Sequence, residues 1–375
     1  MNWNDSFKSK TFSKHHPIPI PLLSFSPSAG LEFQSLPWAS PKEGSVNRHI
    51  CAVCSLLAVL VLPITSCGGS HSGESYVLIA VNVKIPYWQS AGAGFSQAAQ
   101  QLGIGYTFAG PDTYDPAAER DELLRAIQKR PAGILISVAD PNTVEDGIYR
   151  AIDAGIPVIT IDSDAPASRR LFFIGTNNYQ AGLMGGQRLI QELKGKGNVV
   201  VFTMPSQPNL NERFRGYKDA LQYHPDIKIA GVVDIKGDPR IAFDSATQIL
   251  SVDKKQHIDA FVCLEALSGK EVANVLNSNG IKGRTIIAMD TDPDTLDWIK
   301  KGVIAATISQ KPYTMAFMGL KMLDDLHHSG LKNLGADWAH DSFAQVPAFV
   351  DTGSAMVDKS NVDAFISATK SISGK

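Results

Sequence analysis

The run Val199-Val200-Val201-Phe202 is apolar at four consecutive positions. A strand built from it presents hydrophobic side chains on both faces, so it must lie in a sheet covered on both sides. The same kind of short β-branched run recurs along the chain and alternates with helix-length amphipathic segments. Strands are expected over 76–81, Gly105–Ala109, 133–138 and Val158–Ile161. In the second half they are expected over 198–202, 227–233, Ala260–Cys263, Thr285–Met289 and 305–308. Helices are expected between them, over 88–102, 116–129, 143–154, 179–193, 211–224, 240–250, 269–279 and 295–301. Asp115 as N-cap and Pro116 in the first turn start one of them. Alternating βα units give a doubly wound parallel sheet, an α/β fold. About 300 residues of such pattern exceed one compact core, so two sheet lobes are expected.

The formal net charge of −2 and the absence of a long basic stripe give no electrostatic case for nucleic acid. An apolar run from about Ile50 closes on Val61-Leu62-Pro63-Ile64-Thr65-Ser66-Cys67-Gly68. A basic flank, an apolar core of signal-peptide length and small residues before a cysteine resemble the lipobox of bacterial lipoproteins. That resemblance implies cleavage before Cys67 and lipidation of Cys67. The expected organisation is an extension over 1–45, a signal peptide over 46–66 and an anchored tether over 67–75, rich in glycine and serine.

The extension is expected to lie upstream of the true start, with Val46 as the first codon, or else to be disordered. A nucleotide sequence without a purine-rich stretch before Val46 would refute the alternative start. Of the four cysteines, Cys51 and Cys54 fall in the signal core, leaving Cys67 and Cys263. With Cys67 lipidated, no intramolecular disulfide remains.

Ligands of doubly wound sheets bind at the carboxyl ends of the strands. Asn82-Val83-Lys84-Ile85-Pro86-Tyr87-Trp88 follows the first strand, and Asp162-Ser163-Asp164 follows Val158–Ile161. Asn211-Glu212-Arg213 begins the helix after 198–202, while Glu265, Asp290 and Gln310 follow later strands. Aromatic faces cover the CH surfaces of a sugar ring, and carboxylates, a guanidinium and an amide share its hydroxyls. The inventory suits a small polyhydroxylated ligand.

Four segments carry a wider likeness: Ile85-Pro86-Tyr87-Trp88, Gly155-Ile156-Pro157-Val158-Ile159-Thr160-Ile161-Asp162, Glu212-Arg213-Phe214-Arg215-Gly216-Tyr217 and Ala305-Ala306-Thr307-Ile308-Ser309-Gln310-Lys311-Pro312. Their order and spacing resemble the ribose-binding protein family, the type I periplasmic sugar-binding proteins of ABC importers. The resemblance runs from Tyr76 to about Val350. It implies two Rossmann-like lobes joined by a three-segment hinge, with 76–176 and 311–346 in the first lobe and 177–310 and 347–370 in the second.

It also implies that Tyr87 and Trp88 sandwich a sugar ring, and that Asp162, Arg213, Asp290 and Gln310 bind its hydroxyls. Glu265, Asn82 and Asp164 are further candidates. Where ribose binders carry an asparagine, an arginine and a second-lobe asparagine, this chain has Ile85, Ser163 and Leu264. Those losses would leave ribose hydroxyls unpaired, which tells against ribose itself.

The implied protein is an exported, lipid-anchored monomer of the cell envelope, touching the membrane through its anchor alone. It would hold a small neutral sugar or polyol and deliver it to an ABC permease with separate ATPase subunits. Presentation of the closed form to a receptor, and a non-sugar polar ligand, are the alternatives. No catalytic residue, cofactor or metal is expected. Asp290-x-Asp292-x-Asp294 starts like a calcium loop, but Thr295 replaces the glycine and Lys301 the closing glutamate. The spaced glycines over 182–186 lie in a helical segment, and His327-His328 read as a helix end.

Overall fold

A computed structural model describes residues 71, 73–252, 257–329, 331, 333–334, 336–338, 340–341 and 343–372. All lie in the unit spanning 67–375. The signal segment, Cys51, Cys54 and the lipidation candidate Cys67 lie outside the described residues. Among the latter, Cys263 is a free, buried cysteine.

The first sheet is built from β1 (Ser75–Ile79), β2 (Gly105–Ala109), β3 (Gly133–Ile136), β4 (Val158–Ile161), β5 (Phe173–Gly175) and β11 (Phe349–Asp351), in the order β11-β5-β4-β3-β1-β2. The second uses β6 (Gly197–Thr203), β7 (Ile227–Asp234), β8 (Ala260–Cys263), β9 (Thr285–Met289), β10 (Ala306–Ser309) and β12 (Ala355–Asp358), in the order β12-β10-β9-β8-β6-β7. The two orders are the same walk through two copies of one topology. All pairings are parallel except β10 with β12, which is antiparallel. Val199, Val200, Val201 and Phe202 are all buried, as their unbroken hydrophobicity requires.

The helices are α1 (Pro86–Leu102), α2 (Pro116–Gln128), α3 (Pro141–Asp153), α4 (Asn178–Leu193), α5 (Pro208–Leu221), α6 (Pro239–Ser251), α7 (Ser268–Ser278), α8 (Pro293–Lys301), α9 (Pro312–Ser329) and α10 (Val362–Ile372). One local rule sets many of their starts. Asp115, Asp140, Asp238 and Asp292 each cap a helix through a side-chain oxygen, with proline next in line. Proline lacks the N–H that the first turn cannot satisfy, and its fixed φ suits the helix. The pairs at 140–141, 238–239 and 292–293 move three helix starts one or two residues ahead of the periodicity. Pro208 moves α5 by three, from the expected 211.

The chain passes between the sheets three times, near 175–178, 309–312 and 351–355. The first and third strands of this hinge are tied together. Thr352 donates its N–H (2.8 Å) and hydroxyl (3.0 Å) to the Gly175 carbonyl, and the Asn177 N–H donates to Asp351 (3.2 Å). The expectation that 347–370 belongs wholly to the second lobe is corrected: β11 pairs with β5, so residues through 351 lie in the first sheet. A three-residue strand carries too little periodicity to be read from sequence, and its partner Phe173–Gly175 was equally invisible.

Candidate functional site

The strand ends of the two sheets face one cavity, of about 60 Å³. Lobe 1 brings Asn82, Ile85, Tyr87, Trp88, Tyr114 and Asp162 to its wall. Lobe 2 and the hinge bring Asn209, Arg213, Glu265, Asp290 and Gln310. Eight of the nine candidate ligand residues therefore meet at one place. A larger cavity of about 560 Å³ adjoins it on the hinge side and shares Ile85, Tyr87, Asp290 and Gln310. The smaller one is where polar groups of both lobes converge. A water needs about 10–15 Å³ by this measure, so it has room for about four to six waters, the displacement of one sugar ring.

Arg213 stands at the centre. It is 2% exposed, and α5 carries it against α4. One Nη donates to the Leu264 carbonyl, the other to Asn178 Oδ1 (2.6 Å) and, at longer range, to Gln310 Oε1 (3.5 Å). Its Nε has no partner. No ion pair is formed by this guanidinium within 4.0 Å among the described residues, although Asp162 and Asp290 both feel its charge. A buried cation with an unspent donor is costly unless something else completes it.

Asp162 and Asp290 are the flanking carboxyls. Asp162 accepts from the Tyr87 hydroxyl (2.5 Å) and from Asn209 Nδ2 (3.3 Å), so groups of both lobes meet on it. Asp290 accepts from Gln310 Nε2 (2.9 Å). Burial raises the pKa of Asp162 against the pull of Tyr87 and Arg213. Burial pushes Asp290 up to about 7, opposed by Arg213 and Gln310. Both shifts lower the negative charge that these carboxyls would otherwise set against Arg213.

Glu265 lines the cavity, but both its oxygens are engaged by the start of α7. They accept from the N–H groups of Leu267 (2.5 Å) and Ser268 (3.1 Å) and from the Ser268 hydroxyl. Its carboxyl, also pushed up by burial to about 7, is a helix cap that forms part of the wall. Asn82 lies on the wall with its Oδ1 accepting from the Lys84 N–H (2.9 Å).

Two expectations are corrected by the geometry. Asp164 is not on the cavity wall. It forms a two-point ion pair with Arg170 (2.5 Å at each end) and accepts from Thr160 Oγ1 (2.6 Å) and the Ala165 N–H (2.8 Å). Its carboxylate braces the loop after β4. Tyr87 and Trp88 both line the cavity, yet their rings meet edge to face, 78° apart with centroids at 5.2 Å. Adjacent rings so arranged cannot clamp a sugar between them; they offer one corner of the wall.

Three contributors escaped the sequence reading. Asn209 lies ahead of the helix start expected at 211, in the first turn that Pro208 opens. Asn178 sits beside the N-cap Asn177, where the hinge enters α4. Tyr114 follows β2 and directly precedes Asp115, the N-cap of α2. Its hydroxyl donates to the Ala139 carbonyl (2.8 Å) and meets Ser206 Oγ of the other lobe at 2.9 Å. Its ring lies against Gly237, where a Cβ would come within 2.3 Å of the Tyr114 Cβ. Tyr114–Ser206 and Asp162–Asn209 are hydrogen-bonded contacts that bridge the two lobes.

A family model for the periplasmic binding protein domain matches residues 76–330. The xylose/arabinose-binding protein XylF of Sulfolobus acidocaldarius is 25% identical over 307 residues, covering 76% of this chain and 71% of that protein. Among solved structures, a sugar ABC transporter (sugar-binding protein) from Bacillus halodurans is 35% identical with a TM-score of 0.67, covering 78% of this chain and 99% of the other. AraP, an arabinose binding protein from Geobacillus stearothermophilus, is 33% identical with a TM-score of 0.64, again over 78% and 99%. Two like-ordered α/β sheets, a triple crossing and a polar cleft agree with these matches: the chain belongs to the periplasmic binding protein family, whose members bind ligands and are not enzymes.

Proposed function

We propose that this protein captures one neutral monosaccharide between its lobes and delivers it to the permease of an ABC importer. The observation that carries the reading is the buried Arg213, with an unpartnered Nε, flanked by Asp162 on one lobe and Asp290 on the other. A polyhydroxylated ring supplies acceptors for the guanidinium and donors for both carboxylates at once. Tyr87 and Trp88 cover its apolar edge. Asn82 and Gln310 complete the polar wall, and Glu265 acts through the loop it fixes.

The relatives named for arabinose and xylose make an aldopentose the first candidate. Ligand touching both lobes stabilises the closed state, and a permease reads the closed face. The moving bodies are the two sheet lobes, hinged at 175–178, 309–312 and 351–355. Export and lipidation at Cys67 complete the reading, holding the protein at the outer face of a membrane.

A thermal-shift screen against pentoses, hexoses, polyols, amino acids and nucleosides tests the ligand class. A ligand that binds only the folded state raises the midpoint. Rises with one or a few aldopentoses are expected; rises confined to amino acids or nucleosides would overturn the sugar reading. Labelling of expressing cells with a fatty-acid analogue tests the anchor. Incorporation should vanish in Cys67→Ser, and equal labelling of both proteins would refute it.

A further inference from the structure

The chain entering β1 and the end of α9 meet at the pole of the first lobe away from the cleft. His71, Glu74, Asp324 and His328 each place one donor atom there, all within 4.8 Å of one another. Five residues of β1, about 17 Å of strand, separate this cluster from the sugar cavity. We propose that these four side chains form a zinc site, with two imidazole nitrogens and two carboxylate oxygens as ligands.

Several of the donor spacings match tetrahedral coordination, within a set of four donors that spans up to 4.8 Å. Zinc bonds to nitrogen and carboxylate oxygen of about 2.0–2.2 Å put neighbouring ligand atoms about 3.3–3.6 Å apart. His71 Nδ1 lies 3.3 Å from Glu74 Oε2 and 3.4 Å from Asp324 Oδ1. His328 Nε2 lies 3.2 Å from Glu74 Oε1. The surrounding groups orient the donors as a metal site requires. His328 Nδ1 sits 2.9 Å from the Asp324 carbonyl, so its N–H is spent there and the lone pair of Nε2 faces the cluster. Asp324, 6% exposed, also accepts from the Tyr76 hydroxyl (3.3 Å). Two carboxylates facing two imidazoles need a cation or protons between them. The mixed nitrogen and oxygen set favours zinc over calcium or magnesium, which prefer oxygen alone.

The test uses the full chain, made without a histidine tag and stripped with a chelator. Zinc, calcium and magnesium are then titrated in competition with a chromophoric chelator, and melting is followed in parallel. One equivalent of zinc should bind and raise the midpoint, with no response to the other two ions. His71→Ala and the gentler His328→Gln should each weaken zinc binding about tenfold or more, while affinity for the sugar stays unchanged. Cobalt(II) should give the visible absorption of a four-coordinate ion, lost in His328→Gln. Absence of stoichiometric zinc binding would refute the site, leaving a cluster held by protons. Undiminished binding in both variants would refute it equally, by placing the metal elsewhere.

Discussion

Asp162 and Asp290 occupy the same turn of the two lobes. Each follows the strand next to the hinge-side strand, β4 in one sheet and β9 in the other. Each adopts a left-handed backbone, with φ of 65° and 68°. Each donates its N–H to a carbonyl of the neighbouring strand, Ile174 for Asp162 (3.0 Å) and Ile308 for Asp290 (2.9 Å). Aspartate tolerates this region better than most residues, at a cost on the order of 1 kcal/mol. Two sharp turns thus aim two carboxyls at one guanidinium from opposite lobes.

Arg213→Ala should weaken sugar binding by roughly 2–4 kcal/mol, since it leaves buried partners unpaired. Asp290→Asn keeps the shape and should cost roughly 1–3 kcal/mol. Calorimetry on both variants checks this, and unchanged affinity in the pair would remove the proposed site.

Affinity should depend on pH through Asp290. Its carboxyl stands near 7 in the empty site, and sugar hydroxyls donate to the ionised form. Binding therefore releases a proton: affinity is full above about 7 and falls as pH drops through that value, by up to about tenfold per unit. Calorimetry in buffers of different ionisation enthalpy reads the released proton directly. Asp290→Asn should flatten the profile; a profile already flat in the native protein would contradict the assignment.

Glu119 is fully buried in α2, with one oxygen accepting from the Ala139 N–H (3.0 Å) and the other without a partner. Burial pushes its carboxyl up to about 8. The unfolded chain ionises this group near 4.3, so between about 4.3 and 8 folding must take up a proton. Stability is full below that window and declines across it, by at most about 1.4 kcal/mol per pH unit. Glu119→Gln should therefore raise the melting midpoint more at pH 8 than at pH 5. Equal shifts at both would show that the side chain is not protonated in the fold.

Gly182 of α4 packs on the backbone that carries Arg213. A Cβ there would lie 2.0 Å from the Arg213 carbonyl oxygen. Gly182→Ala must push α5 away and should cost roughly 1–3 kcal/mol of stability. It should also weaken sugar binding, because Arg213 moves with its helix. Denaturant melts and calorimetry on one sample check both effects, and a variant that melts and binds normally would refute the coupling.

Tyr114→Phe removes the hydroxyl that meets Ser206 but keeps the ring against Gly237. Loss of one hydrogen bond across the closed lobes should weaken sugar affinity by roughly 0.5–1.5 kcal/mol. The melting midpoint without sugar should move little. Solution scattering at limiting sugar should show the variant closing less completely than the native protein; identical affinity would show that the bond contributes nothing to closure.

Local physics decides the sheets and the helix starts, and both are legible along the chain. Val199-Val200-Val201-Phe202 can be satisfied only by cover on two faces, and an Asp-Pro pair caps a helix wherever it occurs. The strand-end rule locates Asp162, Asp290 and Gln310 for the same reason: they sit one residue past recognisable strands. What sequence cannot supply is the pairing of distant groups. Asp164 stands two residues from Asp162 and belongs to Arg170 instead. Tyr87 and Trp88 are adjacent in sequence, and helical geometry turns their rings edge to face. Asn209, Asn178 and Tyr114 enter the site because helices and a hinge carry them there. His71 and His328 meet only because the residues leading into β1 reach the end of α9. Hydrophobic patterning is a property of neighbours in the chain, whereas a ligand or metal is held by atoms that become neighbours only after folding.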